Sequence, residues 1–355
     1  MRVVLAERRS PGRFSQLEEL AALAGTLKYE VVAAIEQVRE PDATYQIGRG
    51  KAKELAEVVK SKGAERVIFV NQLSASQAFK LSTLVGVEVI DKLQLILEIF
   101  AMRAGSPEAK LQVEYAKLSY ELPRVRERVL ALLSVERPGF RGGGEYEVKV
   151  QYDMIKRRMA ILKRKLASVA TARGQRRKLR RRRGFKLVAL AGYTNAGKST
   201  LLNTLTAGGA EVDDMLFTTL TPRTRAMRSG RKILLTDTVG FIDGLPPWLV
   251  EAFKATLEEI YLADLVVLIV DVAEPIQEVL RKLQTSREIL SQYGVKIITA
   301  LNKIDLLQRD ELDRRLEMLD NVGAIVVPIS ASAKTNLGTR AEVRKTNVFG
   351  RCAFA

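Results

Sequence analysis

The chain has 355 residues and a mass of 39.5 kDa, enough for roughly two or three domains. It contains no histidine, which excludes every mechanism that needs an imidazole, including Ser-His-Asp catalysis and histidine-ligated zinc. With 58 Lys and Arg against 41 Asp and Glu, the net charge of +17 indicates an anionic partner.

The cysteine content and the apolar runs bear on location. Cys352 is the single cysteine, so no disulfide can form within the chain. No apolar run reaches the length of about 18 residues that a membrane span needs, and no secretory signal pattern is present. We therefore expect a cytoplasmic protein with no membrane span, and we expect a monomer.

Strand and helix patterns alternate in the first hundred residues. Four apolar, β-branched runs have the length of strands: Arg2 to Ala6, Tyr29 to Ile35, Arg66 to Val70 and Val87 to Ile90. Strands that alternate with helices form parallel sheets. The pattern predicts a small N-terminal parallel α/β domain over residues 1–105.

Two long helical patterns follow, each with apolar residues spaced alternately four and three apart. The first runs from Leu111 to Leu132 and the second from Val148 to Val169. A heptad stripe of this length needs a partner helix, and the nearest one is the neighbouring stripe. We expect an antiparallel helical hairpin (coiled coil) over residues 106–183, with two separate core helices as the alternative. Pro123 predicts a kink or break in the first helix.

The loop and the second helix of this region are basic. Gly142 to Gly144 form the tip with Arg141 beside them, and fourteen Lys and Arg lie between Lys156 and Arg183. Such a run is either a solvated helix face or a phosphate-binding surface, and we favour the second. Because no aromatic residue interrupts the run, we expect contact with the backbone of structured RNA. The predicted RNA-binding residues are Arg141, Arg176, Arg177, Lys178, Arg180, Arg181, Arg182 and Arg183.

The third region begins after the basic tail. An apolar strand, Lys186 to Gly192, runs into a glycine-containing loop and then into the helical pattern Ser199 to Leu205. Four more strands are predicted at Lys232 to Asp237, Asp264 to Asp271, Lys296 to Asn302 and Ala324 to Ser330. They indicate a doubly wound, mostly parallel sheet over residues 184–337. Residues 338–355 lack an apolar stripe at helical spacing and are expected to form an atypical C-terminal tail.

The sequence GYTNAGKS, from Gly192 to Ser199, fits the phosphate-loop (P-loop) pattern G-x-x-x-x-G-K-[ST] between a strand and a helix. Backbone N–H groups of such a loop wrap a phosphate chain at a helix N-terminus. Lys198 would reach the β- and γ-phosphates, and Ser199 would bind Mg²⁺. The predicted residues of this loop are Gly192, Tyr193, Thr194, Asn195, Ala196, Gly197, Lys198, Ser199 and Thr200.

Three downstream motifs at strand ends select the nucleotide, although each alone is also an ordinary turn. DTVG places Asp237 near the Mg²⁺, through water, and the N–H of Gly240 near the γ-phosphate. NKID offers a carboxylate, Asp305, that can accept from guanine N1 and N2, a pair of donors that adenine lacks. ISAS supplies backbone N–H groups for guanine O6. The predicted guanine-binding residues are Asn302, Lys303, Asp305, Ser330, Ala331 and Ser332.

The switch sequences resemble a known family. LFTTLTPRTR, Leu216 to Arg225, resembles the first switch of the Obg-HflX class of translation-associated GTPases. The segment Asp237 to Glu259 is similar to the second switch of the HflX family, and IGRGKAKEL and RPGFRGGGE are also similar. The resemblance implies that the Thr219 hydroxyl meets Mg²⁺, with Phe217 and Thr218 in the GTP site. It implies a P-loop GTPase domain in a three-part protein that binds the large ribosomal subunit and splits stalled or idle ribosomes under stress.

Two positions bear on the rate of GTP hydrolysis and on the cations that it needs. Phe241 stands where Ras-like enzymes place the glutamine that orients the attacking water, so we expect slow intrinsic hydrolysis that a partner accelerates. Asn195 stands where potassium-activated relatives hold a monovalent cation, and a loop-stabilising role is the equal alternative. The predicted catalytic residues are Lys198, Thr219 and Gly240, and the expected cofactors are Mg²⁺ and, as a candidate, K⁺.

The expected function is a ribosome-associated GTPase whose partners are GTP, GDP, the large ribosomal subunit and ribosomal RNA. One alternative is an RNA-remodelling NTPase with a second nucleotide site at GRGK, Gly48 to Lys51. The other is a non-enzymatic, GTP-sensing module of ribosome assembly or regulation, which the missing glutamine would allow.

Overall fold

The computed structural model describes residues 1–135, 143–206, 224–228, 232–238, 240–241, 248–249, 260, 262–291, 294–320 and 325–337. The chain divides into two compact units. The first comprises Met1–Val169 with Pro247–Ala252, and the second comprises Ala170–Pro246 with Phe253–Ala355.

A four-stranded parallel sheet forms the centre of the first unit. Its strands, in the spatial order β2-β1-β3-β4, are β1 (Arg2–Arg9), β2 (Glu30–Val38), β3 (Arg66–Phe69) and β4 (Glu88–Asp91). The helices are α1 (Leu17–Thr26), α2 (Arg49–Lys62), α3 (Ala75–Val85) and α4 (Lys92–Arg103). Because α1 contacts α4 and α2 contacts α3, the helices lie as two pairs. The predicted parallel α/β arrangement is confirmed.

The GRGK sequence forms the start of α2. The Gly48 N–H donates to Gln37 Oε1 at 2.8 Å, and Gly48 has the extended conformation of a residue that precedes a helix. The Lys51 ammonium pairs with Glu54 one turn later at 2.8 Å. These contacts are those of an ordinary helix start, which favours that interpretation over a second nucleotide site.

Two long helices, α5 (Pro107–Val135) and α6 (Gly143–Arg182), follow the first sheet. The prediction of a break at Pro123 is wrong, because α5 continues through it, and a kink there stays a prediction. The buried face of α5 includes Ala109, Val113, Ala116 and Tyr120, which by helical periodicity lies opposite the predicted heptad stripe. Since α5 contacts α3 and α4, packing on these helices decides which face is buried. The helical hairpin stays a prediction. Of its predicted tip, Arg141 and Gly142 lie outside the described residues, whereas Gly143 and Gly144 begin α6.

A six-stranded sheet forms the centre of the second unit, in the order β10-β9-β8-β5-β7-β6. Its strands are β5 (Lys186–Gly192), β6 (Thr224–Ala226), β7 (Ile233–Asp237), β8 (Leu265–Asp271), β9 (Ile297–Asn302) and β10 (Ile325–Pro328). Only β6 among these strands is antiparallel, and the sequence did not predict it. The described helices are α7 (Lys198–Leu205), α8 (Ile276–Ser291) and α9 (Arg309–Asp320). The doubly wound, mostly parallel sheet is confirmed.

Both faces of this sheet are covered. Ala191 of β5 belongs to a buried cluster with Leu283 of α8, and Leu190 belongs to another with Leu201 of α7. Successive residues of one strand therefore enter opposite cores, as their side chains alternate. None of the helices in the described part of the chain is both long and apolar enough to cross a membrane. The predicted atypical tail, residues 338–355, lies outside the described residues.

Candidate nucleotide site

The loops that carry the four motifs meet at the carboxyl edge of the second sheet. The parallel register sets Leu190 of β5 beside Asp237 of β7, and Asp271 of β8 beside Asn302 of β9. β10 lies in parallel on β9, which brings the ISAS sequence to the same edge. In doubly wound sheets this edge is where ligands bind.

Two glycines permit the P-loop to pack as it does. Gly192 has φ +144° and lies so close to the Ile269 carbonyl that any β-carbon would overlap it. Gly197 has φ +93° and lies equally close to the Asn302 side-chain amide. A larger residue at either position would push the loop off the sheet edge.

Lys198 is buried in this loop. Its Nζ donates to the carbonyl oxygens of Gly192 at 3.1 Å and Tyr193 at 2.6 Å. Burial lowers the pKa of its amino group to about 8, and the Asp237 carboxylate partly opposes that shift. The lysine is therefore a poorly solvated cation, which phosphate oxygens can stabilise better than two neutral carbonyls.

Ser199 and Asp237 form a candidate magnesium site. The Ser199 hydroxyl donates to Asp237 Oδ2 at 2.7 Å, and the Thr238 N–H fixes the other carboxylate oxygen at 2.9 Å. A hydroxyl and a carboxylate are hard oxygen donors, which suit Mg²⁺ bound through few protein ligands. The described residues contain no cluster of three His, Cys, Asp or Glu that would make an all-protein cage. Thr219, Phe217 and Thr218 lie outside the described residues.

The DTVG glycine packs directly on the P-loop. A β-carbon on Gly240 would lie 2.9 Å from Thr194 N and 3.0 Å from Lys198 Nζ. The next residue, Phe241, donates its N–H to Gly192 O at 2.9 Å. Its buried ring meets the Tyr193 ring edge-on, with centroids 6.3 Å apart. Phe241 is thus a core residue without a hydrogen-bonding side chain.

Asn302 joins three loops. Its Nδ2 donates to Ala196 O in the P-loop at 2.8 Å, and its Oδ1 accepts from Ala331 N in the ISAS loop at 2.9 Å. The side chain is 2 % exposed. Sequence reasoning assigned this amide to the guanine edge and missed its part in holding the loops together.

Asp305 and the ISAS loop complete the edge. Asp305 is exposed in a 3₁₀ turn, Ile304–Leu306, and the Ser332 hydroxyl donates to its Oδ2 at 3.4 Å. Ser330 and Ala331 are buried, and the Thr204 hydroxyl of α7 donates to Ala331 O at 3.1 Å. An exposed carboxylate on a fixed loop is free to bind the edge of a base.

Comparison with known proteins decides the family. Three family models match in chain order: "GTP-binding GTPase N-terminal" at residues 15–101, "GTP-binding GTPase Middle Region" at 103–180 and "50S ribosome-binding GTPase" at 187–303. GTPase HflX of Thermococcus kodakarensis is 47% identical over 321 residues, which cover 89% of this chain and 72% of the relative. The chain belongs to the GTPase HflX family. GTPase HflX of Methanocaldococcus jannaschii is also 47% identical, over 90% of this chain and 79% of the relative.

Solved structures agree with the family. The GDP complex of SsGBP has a TM-score of 0.57 and 30% identity, with 95% of each chain covered. A GTP-binding protein from the archaeon Sulfolobus solfataricus in complex with GDP has a TM-score of 0.51 and 30% identity, with 94% of each chain covered. The GTPase HflX relatives and the matching GTPase family model confirm the predicted GTPase activity of this chain, which goes against the non-enzymatic alternative.

The predicted RNA-binding residues whose side chains the structure describes do not lie at the nucleotide site of this HflX-family GTPase. Lys178, Arg182 and Arg183 are exposed and Arg180 is half-buried, all just before the amino end of β5. The P-loop follows the carboxyl end of that strand, roughly 20 Å away at about 3.3 Å per residue. The backbone of Arg176, Arg177 and Arg181 is helical, and their side chains lie outside the described residues.

Two points about individual residues remain. Asn195 adopts a left-handed conformation, φ +63°, in the P-loop, and its role toward K⁺ stays a prediction.

The sequence analysis missed Asp271, which lies at the end of β8. Its Oδ2 lies 2.6 Å from Lys303 Nζ. The one signal in the sequence was an acidic residue that ends a buried strand.

Proposed function

We propose that this HflX-family GTPase binds GTP and Mg²⁺ at the carboxyl edge of the second sheet and acts on the large ribosomal subunit. The observation that carries the proposal is the convergence of Lys198, the Ser199–Asp237 pair and Asn302 at that edge. The physiological result we propose is the splitting of stalled or idle ribosomes.

Within the site each residue has a task that follows from its chemistry. Lys198 exchanges its carbonyl partners for phosphate oxygens, and Gly240 offers its N–H to the γ-phosphate. Ser199 and Thr219 would hold Mg²⁺, with Asp237 acting through water, and the ion would neutralise phosphate charge. Asp305 accepts from guanine N1 and N2. These tasks together select GTP and favour transfer of its terminal phosphoryl group to water.

The attacking water needs help from elsewhere. Phe241 is buried beside Tyr193 and has no group that could orient a water molecule. Hydrolysis by the isolated protein is therefore slow, and binding to the large subunit supplies or organises the missing group. This timing would keep the protein in its GTP form until it reaches the ribosome.

The basic helix α6 is the proposed contact with ribosomal RNA, as part of an arm over residues 106–183. Its second half carries exposed cations and no acidic residue. Counterion release from RNA would supply most of its affinity and make binding sensitive to salt. The match to a "50S ribosome-binding GTPase" model over residues 187–303 supports the large subunit as the particle bound.

Sedimentation and single-turnover hydrolysis test the proposal. With a non-hydrolysable GTP analogue, the protein should co-migrate with large subunits and deplete the intact-ribosome peak. Large subunits should raise the hydrolysis rate by about 100-fold, the scale on which one well-placed hydrogen-bond donor acts. Small subunits at the same concentration are the control. Equal hydrolysis rates with and without large subunits, or no co-migration, would contradict the proposal.

A further inference from the structure

The Asp271 carboxylate lies at the carboxyl end of β8, beside the NKID sequence. The parallel register of β8 and β9 sets Asp271 opposite Asn302, the residue before Lys303. Its side chain is 12 % exposed, and its Oδ2 lies 2.6 Å from Lys303 Nζ. This is a short, mostly desolvated ion pair next to the loop that is proposed to bind guanine.

The Asp271 carboxylate is held in place by the loop that follows β8. Asp271 Oδ1 accepts from the Ala273 N–H at 3.0 Å. The Arg315 guanidinium of α9 donates to Val272 O and Glu274 O, each at 2.5 Å, and so holds the loop that follows β8. The Asp271 carboxylate is therefore held in one position. The ion pair can form only where the lysine ammonium reaches that position.

The backbone of Lys303 is fixed as well. Lys303 has φ +68°, a left-handed conformation that residues with side chains seldom adopt. It stands between Asn302, whose amide bonds two loops, and the turn that presents Asp305. With the α-carbon and the ammonium both held, the four-carbon stem between them is an ordered apolar surface beside Asp305.

We propose that Asp271 is a positioning residue for the nucleotide base: it holds the Lys303 ammonium so that the lysine stem lies against the flat face of guanine while Asp305 binds the edge. The proposal rests on the guanine site proposed above. Without the carboxylate, a long and flexible side chain would have to be ordered at each binding event, which weakens affinity.

The test is nucleotide affinity in Asp271→Asn, measured with fluorescent GDP and GTP analogues. Asparagine keeps an oxygen for the Ala273 N–H and removes only the charge. We expect the Kd to rise roughly fivefold to tenfold, within the range of coupling between neighbouring charges. The KM for GTP should rise in parallel, with a smaller change in kcat. An unchanged Kd overturns the proposal.

Asp264→Asn is the matched control. Asp264 precedes the other end of β8, pairs with Lys186 at 3.4 Å and accepts from the Leu187 N–H at 2.9 Å. It thus combines one ion pair with one backbone bond, as Asp271 does, at the opposite edge of the sheet. The Asp264→Asn substitution should change the Kd for GDP and GTP by less than about twofold.

A double-mutant cycle with Lys303→Met separates positioning from a structural role. If Asp271 acts through Lys303, Asp271→Asn should change the Kd by less than about twofold in the Lys303→Met background. An equal loss of affinity in both backgrounds would show that Asp271 acts on the backbone and would overturn the proposal. If Asp271→Asn does not fold, Lys303→Met alone decides: affinity equal to that of the unmodified chain would again overturn it.

The outcomes distinguish this inference from the guanine site on which it rests. An unmodified chain that binds neither GDP nor GTP would reject the site as a whole. An unmodified chain that binds both, with Asp271→Asn indistinguishable from it, would reject only the role of Asp271.

Discussion

Replacement of Asn302 by alanine should destabilise the second unit and weaken nucleotide binding together. The side chain donates to Ala196 O and accepts from Ala331 N, at 2.8 Å and 2.9 Å. It is 2 % exposed, so water cannot replace it without rearrangement. The substitution would leave one backbone carbonyl and one backbone N–H buried without their partners.

The size of the effect follows from those two groups. A buried polar group that loses its partner costs about 1–3 kcal/mol, so the two groups together give about 2–6 kcal/mol of lost stability. The P-loop would also lose its link to the ISAS loop, and ordering both loops anew on binding should raise the Kd for GDP at least about tenfold. Both effects have one origin and should appear in the same variant.

Chemical denaturation and fluorescent GDP titration measure the two effects. The matched control is Asn336→Asp, because Asn336 also donates to a backbone carbonyl, Pro328 O at 3.1 Å, but is exposed. That variant should change stability by less than about 0.5 kcal/mol. A loss below about 0.5 kcal/mol in Asn302→Ala itself would refute the reasoning, since it would mean that the loops do not depend on this amide.

Two further predictions concern Lys198 and the basic helix. Because burial lowers the pKa of Lys198 to about 8 and phosphate favours the charged lysine, nucleotide binding should take up a proton above pH 8. The Kd for GDP should rise by about tenfold from pH 7 to pH 9, which titration in matched buffers would show; a flat profile contradicts the burial of this cation. Replacing Arg180 to Arg183 by alanine should weaken binding to large subunits and reduce its salt slope by roughly three, at about 0.7–0.9 per phosphate contact, with GDP affinity preserved. Alanine at Lys60 and Lys62, at the end of α2, is the control, and an unchanged slope in the arginine variant counts against α6 as the RNA contact.

Much of the fold could be predicted from the sequence because its signals are local. The strand runs of both sheets, such as Lys186 to Gly192, are mostly apolar, as buried parallel strands are. The short antiparallel strand β6 was missed, because Thr224–Ala226 has no such run. The buried face of α5 was also missed, since its heptad stripe and the opposite face that holds Ala116 are both apolar enough to pack.

Some residues of the candidate site could likewise be predicted from the sequence, and others could not. The P-loop could be predicted because Gly192, Gly197 and Lys198 must stand at fixed spacing for the loop to close around phosphate. The Asn302 amide was assigned to the base because its motif suggests that use. Its actual partners lie 106 and 29 residues away along the chain, and no spacing rule connects them.

The sequence by itself determined the fold class, the family resemblance and the nucleotide, because periodicity, glycine placement and motif spacing are properties of short segments. Only the tertiary structure decided which face of α5 is buried, which groups Asn302 bonds, and that Asp271 holds Lys303. These depend on how strands lie side by side: the register of β8 and β9 brings Asp271 to Asn302, 31 positions later in the chain. Strand pairing of this kind is set by the packing of the whole sheet and leaves little trace in the residues around either partner.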